Sequence, residues 1–289
     1  MSVALRWLGL RILRAAGLLL LAMLATTALV RFAPGYFADS REMDAQHGAV
    51  VRSQLQAQQT QGSLLHLVTG QFAALAHGDL GRSRQFDVPV TELLGHRIRT
   101  TAFLLAGSVL SGWLFAIAFA LPLAVRRTAA GEALIAAPSA VLLAMPVGAM
   151  ATACLLLNHG GPMLVLALLI AARDFKLVYR LTRYTLEAPH FLYARAQGIG
   201  RLRIMRAHLV PALGGELMAL AMTSTVLALS ACVPVEVLFD VPGLGQLAWN
   251  AAMNRDLPVL LAVTLLMAAC VGVAAIFTDA RQPAELRCA

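Results

Sequence analysis

Four basic residues sit where an apolar run would otherwise continue. Arg173, Lys176, Arg180 and Arg183 are spaced three, four and three residues apart, which places them on one face of a helix. The run before them, Met163 to Ala172, is too short to cross a bilayer and must continue through Arg173-Asp174-Phe175-Lys176-Leu177-Val178-Tyr179 to Arg180. Lys176 is the only lysine in the chain. Charge at membrane depth is costly and persists where it faces a cavity or a partner. The chemistry such a stripe offers is electrostatic recognition of acidic or carboxylate-bearing molecules. A second reading puts Arg180 and Arg183 already outside the membrane, with Arg173 and Lys176 extending to the headgroups. Asp174 adjoins Arg173 but does not share the stripe's face. Glu236, after another apolar run, is a further charge that could pair with a basic residue or face a cavity.

Other chemistry is absent from the sequence. There is no G-x-S-x-G, no G-x-G-D with a second intramembrane Asp, and the seven histidines form no H-E-x-x-H. No G-x-x-x-x-G-K-[ST] occurs, so the chain is not expected to hydrolyse ATP by the P-loop route, and an ATP-driven process would need another subunit to supply that site. Cys154, Cys232, Cys270 and Cys288 lack C-x-x-C spacing, and three of them read as small apolar-segment residues rather than metal ligands. The sequence therefore predicts no catalytic residue, no metal and no cofactor in this chain.

The elements that carry these charges belong to a membrane. Hydrophobic residues make up 59% and charged residues 13% of the chain, where soluble domains have about 25% charged. The formal charge of +8 flanks apolar runs instead of gathering in one domain, which is a topology signal and not a nucleic-acid footprint. The predicted spans are Ala15 to Val30, Thr100 to Val125, Ala133 to Leu157 with kinks at Pro138 and Pro146, Met163 onward, Leu213 to Val235, and Val259 to Thr278. The basic start of the first span also fits a signal peptide, but an uncleaved helix is the preferred expectation. Residues 36–99 form the one long polar stretch, with nearly balanced charge. With the N-terminus inside, fifteen Lys and Arg fall on the cytoplasmic side and eight on the other.

The segment Glu187 to Leu213 is basic, contains turns, and lies between apolar runs, so it is expected outside the bilayer on the cytoplasmic side. Ile199, Leu202, Met205 and Leu209 share one helical face while Arg201, Arg203 and Arg206 fall elsewhere. Gly198 can end the preceding helical piece and Pro211 can open the next. A short amphipathic helix on two turns suits either a partner's groove or the headgroup layer.

Three motifs carry a resemblance. Leu192-Tyr193-Ala194, Gly198 and His208-Leu209-Val210-Pro211 follow the EAA-x3-G-x9-I-x-L-P pattern of ABC-importer permeases, without its Glu. Tyr193, Ala194, Arg195, Ala196, Gly198 and His208 are closer to the dipeptide/oligopeptide branch. Gly78-Asp79-Leu80-Gly81-Arg82-Ser83, then Pro89-Val90, is similar to that branch's GDLGxS…PV run before its second helix. Glu236 to Leu247, with Pro242, Gly243 and Gly245, and then Arg255-Asp256-Leu257-Pro258, is similar to its outer re-entrant segment. Over nearly its whole length the chain resembles the dipeptide/oligopeptide ABC-importer permease family, DppB/OppB type.

That resemblance implies an all-α membrane protein with six transmembrane helices, the type I ABC importer permease fold and a cytoplasmic coupling helix. It implies an N-terminal segment and first helix (1–31), a periplasmic loop (32–99) and a permease core (100–289). The core would hold the coupling loop at 187–213 and the re-entrant segment at 236–258. Tyr193, Ala194, Arg195, Ala196, Gly198, Leu202, Met205, His208 and Pro211 are the ATPase-docking candidates. Arg173, Lys176, Arg180, Glu236 and Phe239 are candidates for the translocation path, and Gly78, Asp79, Gly81, Pro242, Gly243, Gly245, Arg255 and Asp256 mark the outer face. The implied partners are a second homologous permease, two ATPase subunits that hold ATP and Mg, a periplasmic substrate-binding protein and membrane lipid; no nucleic acid is expected. The location would be a bacterial inner membrane, multi-pass. The family is apolar at Arg173, Asp174 and Lys176, so the stripe belongs to this chain. The tail Asp279 to Ala289 departs from the family's D-x-x-Y-x-x-x-DPR, and the turn at 158–162 is shorter than the family's loop. Family members carry dipeptides, oligopeptides, nickel chelates and other small solutes, and nothing in the residues chooses among them. Two other readings are a stand-alone secondary transporter, which predicts mid-membrane coupling carboxylates, and a membrane scaffold or receptor with an outer domain at 36–99.

Overall fold

The computed structural model describes residues 2–32, 78–83, 85–126, 129–157, 160–189, 191, 193, 197, 200, 210–254 and 256–279. Its principal helices are α1 Ser2–Phe32, α2 Val90–Arg126, α3 Ala129–Ala144, α4 Val147–Leu156, α5 Pro162–Leu186, α6 Val210–Leu238, α7 Leu244–Met253 and α8 Leu257–Asp279. The chain divides into two compact units, Met1–Arg99 with Pro242–Gly272, and Thr100–Val241 with Val273–Ala289. The sequence reading placed 242–272 with the core from residue 100. Here it groups with the N-terminal part, because Val90 and Leu94 at the start of α2 are buried with Leu244, Leu247 and Ala251 of α7 and Val259, Ala262 and Val263 of α8.

Three helices are long and apolar enough to cross a membrane among the described residues: α2, α6 and α8. The expected six spans therefore reduce to three by length and composition, or four if the bent pair α3–α4 is one span. α1 offers a shorter apolar stretch, Leu13–Leu29. α5 is a continuous helix of 25 residues, as the run through Arg173 to Arg180 requires, but its charges keep it from meeting the same test.

The expected span Ala133 to Leu157 is broken. α3 and α4 meet at an angle of 96°. Pro146 has φ −60° and ψ 140°, an extended geometry, and it lacks the N–H that would continue the ladder. Its ring also disfavours helical backbone at Met145. Pro138, by contrast, lies within the continuous α3.

In the second unit α5 is the central helix, packed by α3, α4 and α6. Leu104 of α2, Met150 and Ala151 of α4, Val165, Leu166 and Leu169 of α5, and Ala231, Cys232 and Val235 of α6 form one core. α2 meets α5 through buried small residues four apart: Ser108, Gly112, Ala116, Ala120 and Ala124. Such rows let helix backbones approach closely in a membrane. A Cβ on Gly112 would lie 2.9 Å from the Ala167 carbonyl oxygen, so only glycine fits there. α6 closes with Asp240 at φ 51°, while the Val241 N–H donates to the Glu236 carbonyl at 2.9 Å and that of Asp240 to Val237 at 3.4 Å. This is a Schellman closure with Asp in the position glycine usually takes.

Candidate functional site

The 187–213 segment hangs between α5 and α6, and its described residues show how it is anchored. At the end of α5, Arg183 meets Glu187 one turn on at 3.2 Å. The chain then turns through 3.2 Å and 3.0 Å backbone bonds, from Ala188 N–H to Thr185 O and from Phe191 N–H to Ala188 O. Phe191 is only 1% exposed and packs with Leu213, bordered by Leu181, Leu186, Ala188 and Leu217. One bulky ring thus joins the segment's entry to its exit. Sequence reasoning passed over Phe191; the signal was a large apolar side chain within a basic segment, off the amphipathic face that drew attention.

Two residues past Phe191, Tyr193 is 67% exposed. The Gln197 N–H donates to the Tyr193 carbonyl at 3.1 Å, which marks a helical turn. Pro211 is exposed at the second residue of α6, the position expected for it. Ala194, Arg195, Ala196, Gly198, Leu202, Met205 and His208 lie outside the described residues.

The basic stripe is present on α5, but its members differ in setting. Arg180 is exposed and Arg173, Lys176 and Arg183 are half-buried. Asp174, beside Arg173, is fully buried. Its carboxylate accepts a 2.5 Å hydrogen bond from Ser224 Oγ at the middle of α6. The Trp113 indole of α2 and the Arg173 guanidinium lie beside the same carboxylate. Trp113 Nε1, Arg173 Nη1 and Asp174 Oδ1 are all enclosed without a formed hydrogen bond among the described residues. Asp174, Ser224 and Trp113 were not among the expected site residues. A Ser in an apolar helix carries little signal until its partner on another helix is known.

Glu236 turns inward. It is fully buried, accepting hydrogen bonds from Thr101 Oγ1 of α2 at 2.7 Å and from Cys232 Sγ one turn earlier at 3.1 Å. It therefore does not face open space, as the sequence reading allowed. Phe239 packs half-buried against the core around Leu104 and Val235. Of the path candidates, Arg173, Lys176 and Arg180 share a helix face, while Glu236 and Phe239 are part of the packing.

In the first unit the two outer-face motifs are brought together. Asp79 Oδ1 accepts the Gly81 N–H at 2.8 Å, and Gly81 sits at φ 77°, a left-handed geometry suited to glycine. The turn delivers Ser83, buried, to Asp256: Ser83 Oγ donates at 2.5 Å and the Gln85 N–H at 3.2 Å to one carboxylate oxygen. Ser83 Oγ in turn accepts the Phe86 N–H at 3.0 Å. Asp256 stands just before α8, and a Cβ on Gly81 would touch Pro258 at 3.6 Å. Pro242 and Gly243 lead into α7, with Gly243 as its N-cap. Gly245, expected in a turn, is instead buried inside α7. Arg97 of α2 adds a 2.8 Å bond to Gln246 of α7. Gly78 has φ 73°; Arg255 lies outside the described residues.

Known proteins resemble this chain in sequence. Residues 116–284 match the family described as binding-protein-dependent transport system inner membrane component. A peptide permease protein of Brucella ovis is 28% identical over 230 residues, covering 70% of this chain and 72% of its own. The oligopeptide transport system permease protein OppB of Salmonella typhimurium is 29% identical over 220 residues, 68% of this chain and 70% of its own. The metal-staphylopine import system permease protein CntB of Staphylococcus aureus is 32% identical over 107 residues, 37% of this chain and 34% of its own. The family match covers more than half of the chain, and the chain belongs to the binding-protein-dependent transport system inner membrane components.

Proposed function

We propose that this chain forms one half of the translocation pathway of an ABC importer for peptides or a related small solute such as a metal chelate. The carrying observation is the family match over residues 116–284, joined by likeness to permeases named for peptides, oligopeptides and metal-staphylopine. In this reading α1 and α5 also cross, giving six spans with the N-terminus and the 187–213 segment in the cytoplasm. A second permease subunit completes the path, two ATPase subunits bind and hydrolyse ATP with Mg, and an outer binding protein delivers cargo. This chain itself is not an enzyme and holds no ATP site.

The mechanism follows from the anchoring. Tyr193 and the basic stretch beyond it dock in a groove of the ATPase. Phe191 fixes the segment's base to α5 and α6, so closure of the ATPases on ATP moves both helices as one body and turns the cavity from inward- to outward-facing. The half-buried Arg173 and Lys176 and the exposed Arg180 lie on the face of α5 that borders the inner half of the path, where they favour carboxylate-bearing cargo.

Purification of the tagged chain from its native membrane in mild detergent, with mass spectrometry of its companions, tests this. Two ATPase chains and a second permease are expected, and Gly198→Pro is expected to lose the ATPases. A chain that purifies alone as a stable homo-oligomer would overturn the reading.

A further inference from the structure

We infer that the buried Asp174–Ser224 hydrogen bond is the pivot through which the docking segment moves the core, making Asp174 and Ser224 positioning residues of the transport cycle. The inference rests on the reading of 187–213 as the ATPase-docking segment. Its ground is where the bond lies. Asp174 is twelve residues from either end of α5 and Ser224 fourteen from either end of α6. The bond therefore joins the midpoints of the two helices flanking the segment, about 18–21 Å from the helix ends at 1.5 Å per residue.

Between that point and the segment the two helices are braced by apolar contact. Phe175, Val178 and Tyr179 of α5 pack in one cluster with Leu217 and Leu220 of α6, and Phe191 with Leu213 closes the base. Beyond the bond the same helices pack again, Val165, Leu166 and Leu169 of α5 with Ala231, Cys232 and Val235 of α6. The bond is thus a polar tie within an apolar seam, and it fixes the register in which displacement at the docking end is carried to the opposite ends of α5 and α6.

The pin itself is made of groups whose alternatives are expensive. Among the described residues the Ser224 hydroxyl, which also lies 2.8 Å from the Leu220 carbonyl oxygen, makes the one formed hydrogen bond to the fully buried Asp174 carboxyl group. The other carboxyl oxygen, the Trp113 indole N–H and Arg173 Nη1 are enclosed without a formed hydrogen bond among the described residues. A buried carboxyl group is costly to leave without its hydrogen-bond partner, and removing the Ser224 hydroxyl releases the helices from a fixed register. An apolar pair at these midpoints would pack equally well but would permit sliding.

The test uses the complete transporter in lipid nanodiscs with Cys154, Cys270 and Cys288 replaced by alanine and a reporter thiol at Leu164→Cys. Leu164 is 43% exposed and lies on α5 across the pivot from the docking segment. The probe is a water-soluble maleimide, and its labelling rate is compared with and without ATP plus vanadate. In the parent chain trapping is expected to change the rate about fivefold or more, the scale of an ordinary coupling between sites. Ser224→Ala is expected to remove the change with both ATPase subunits still bound, and Ser224→Thr to retain it. Should Ser224→Ala fail to assemble, Asp174→Asn, which keeps an oxygen for Ser224, is expected to respond and Asp174→Leu is not. An unaltered response in Ser224→Ala or in Asp174→Leu overturns the inference, as does a parent chain that binds the ATPases but shows no change. A parent chain that never binds ATPases overturns the docking reading instead.

Discussion

Replacing Gly112 with alanine tests the packing on which every later step depends. The added Cβ would stand 2.9 Å from the Ala167 carbonyl oxygen and 3.0 Å from Cβ and Cγ2 of Ile170. The nearest obstacle is backbone, which cannot rotate away as the end of a flexible side chain can, so α2 and α5 must separate by a few tenths of an ångström. Overpacking of this kind costs about 1–3 kcal/mol, and the backbone contact puts Gly112→Ala toward the upper end. Against that stands the helix-propensity gain of about 1 kcal/mol for Gly to Ala. A net loss of about 1–2 kcal/mol remains, or about 2–8 °C in midpoint for a unit of roughly 150 residues. Gly95 of the same helix is the control, because a Cβ there meets nothing within 4 Å. Gly95→Ala is therefore expected to be neutral or stabilising by up to about 1 kcal/mol. Thermal unfolding in detergent, followed by size exclusion, measures both. Equal midpoints for the two variants would refute the close α2–α5 approach, and with it the placement of Trp113 beside Asp174.

Phe191→Ala removes a ring that is 1% exposed and is expected to destabilise by about 3–5 kcal/mol. Tyr193→Ala, at 67% exposure, should leave the melting midpoint unchanged while weakening recovery of the ATPases. Ser83→Ala is expected to cost about 1.5–3 kcal/mol, because the buried Asp256 carboxylate loses its hydroxyl donor. Protease cleavage near residues 82–89 should accelerate accordingly, and an unchanged cleavage rate would count against the Ser83–Asp256 tie. The double variant R173A/K176A is expected to lower uptake of acidic peptides into proteoliposomes while sparing neutral ones. Equal effects on both cargo classes would remove the stripe from the path.

What the sequence made legible was local. The spacing of the basic stripe on α5, Pro211 at a helix start and the continuity of α5 through its charges all depend on neighbours in the chain, and all appear in the structure. Motif order likewise pointed to the family. What could not be read were the meetings of distant residues. Ser83 and Asp256 are 173 positions apart, Thr101 and Glu236 are 135 apart, and Asp174 and Ser224 are 50 apart. Each is an ordinary polar residue until folding supplies its partner. Glu236 shows the cost of this: its charge suggested a basic partner or a cavity, whereas it is buried and accepts from Thr101 and Cys232. The two prolines near α3 look alike in sequence, yet only Pro146 breaks the helix. Pro234 and Pro122 also lie inside continuous helices, where the missing N–H does not stop the ladder around it.

The central claim is that the 187–213 segment takes hold of an ATPase. Its most direct test places a photo-activated cross-linker at the exposed Gln197, one helical turn past Tyr193, through Gln197→Cys, in native membranes. Illumination is expected to yield an adduct with an ATP-binding-cassette subunit, and Phe191→Ala is expected to reduce it. Adducts with lipid alone, or with a protein on the outer side of the membrane, would contradict the account.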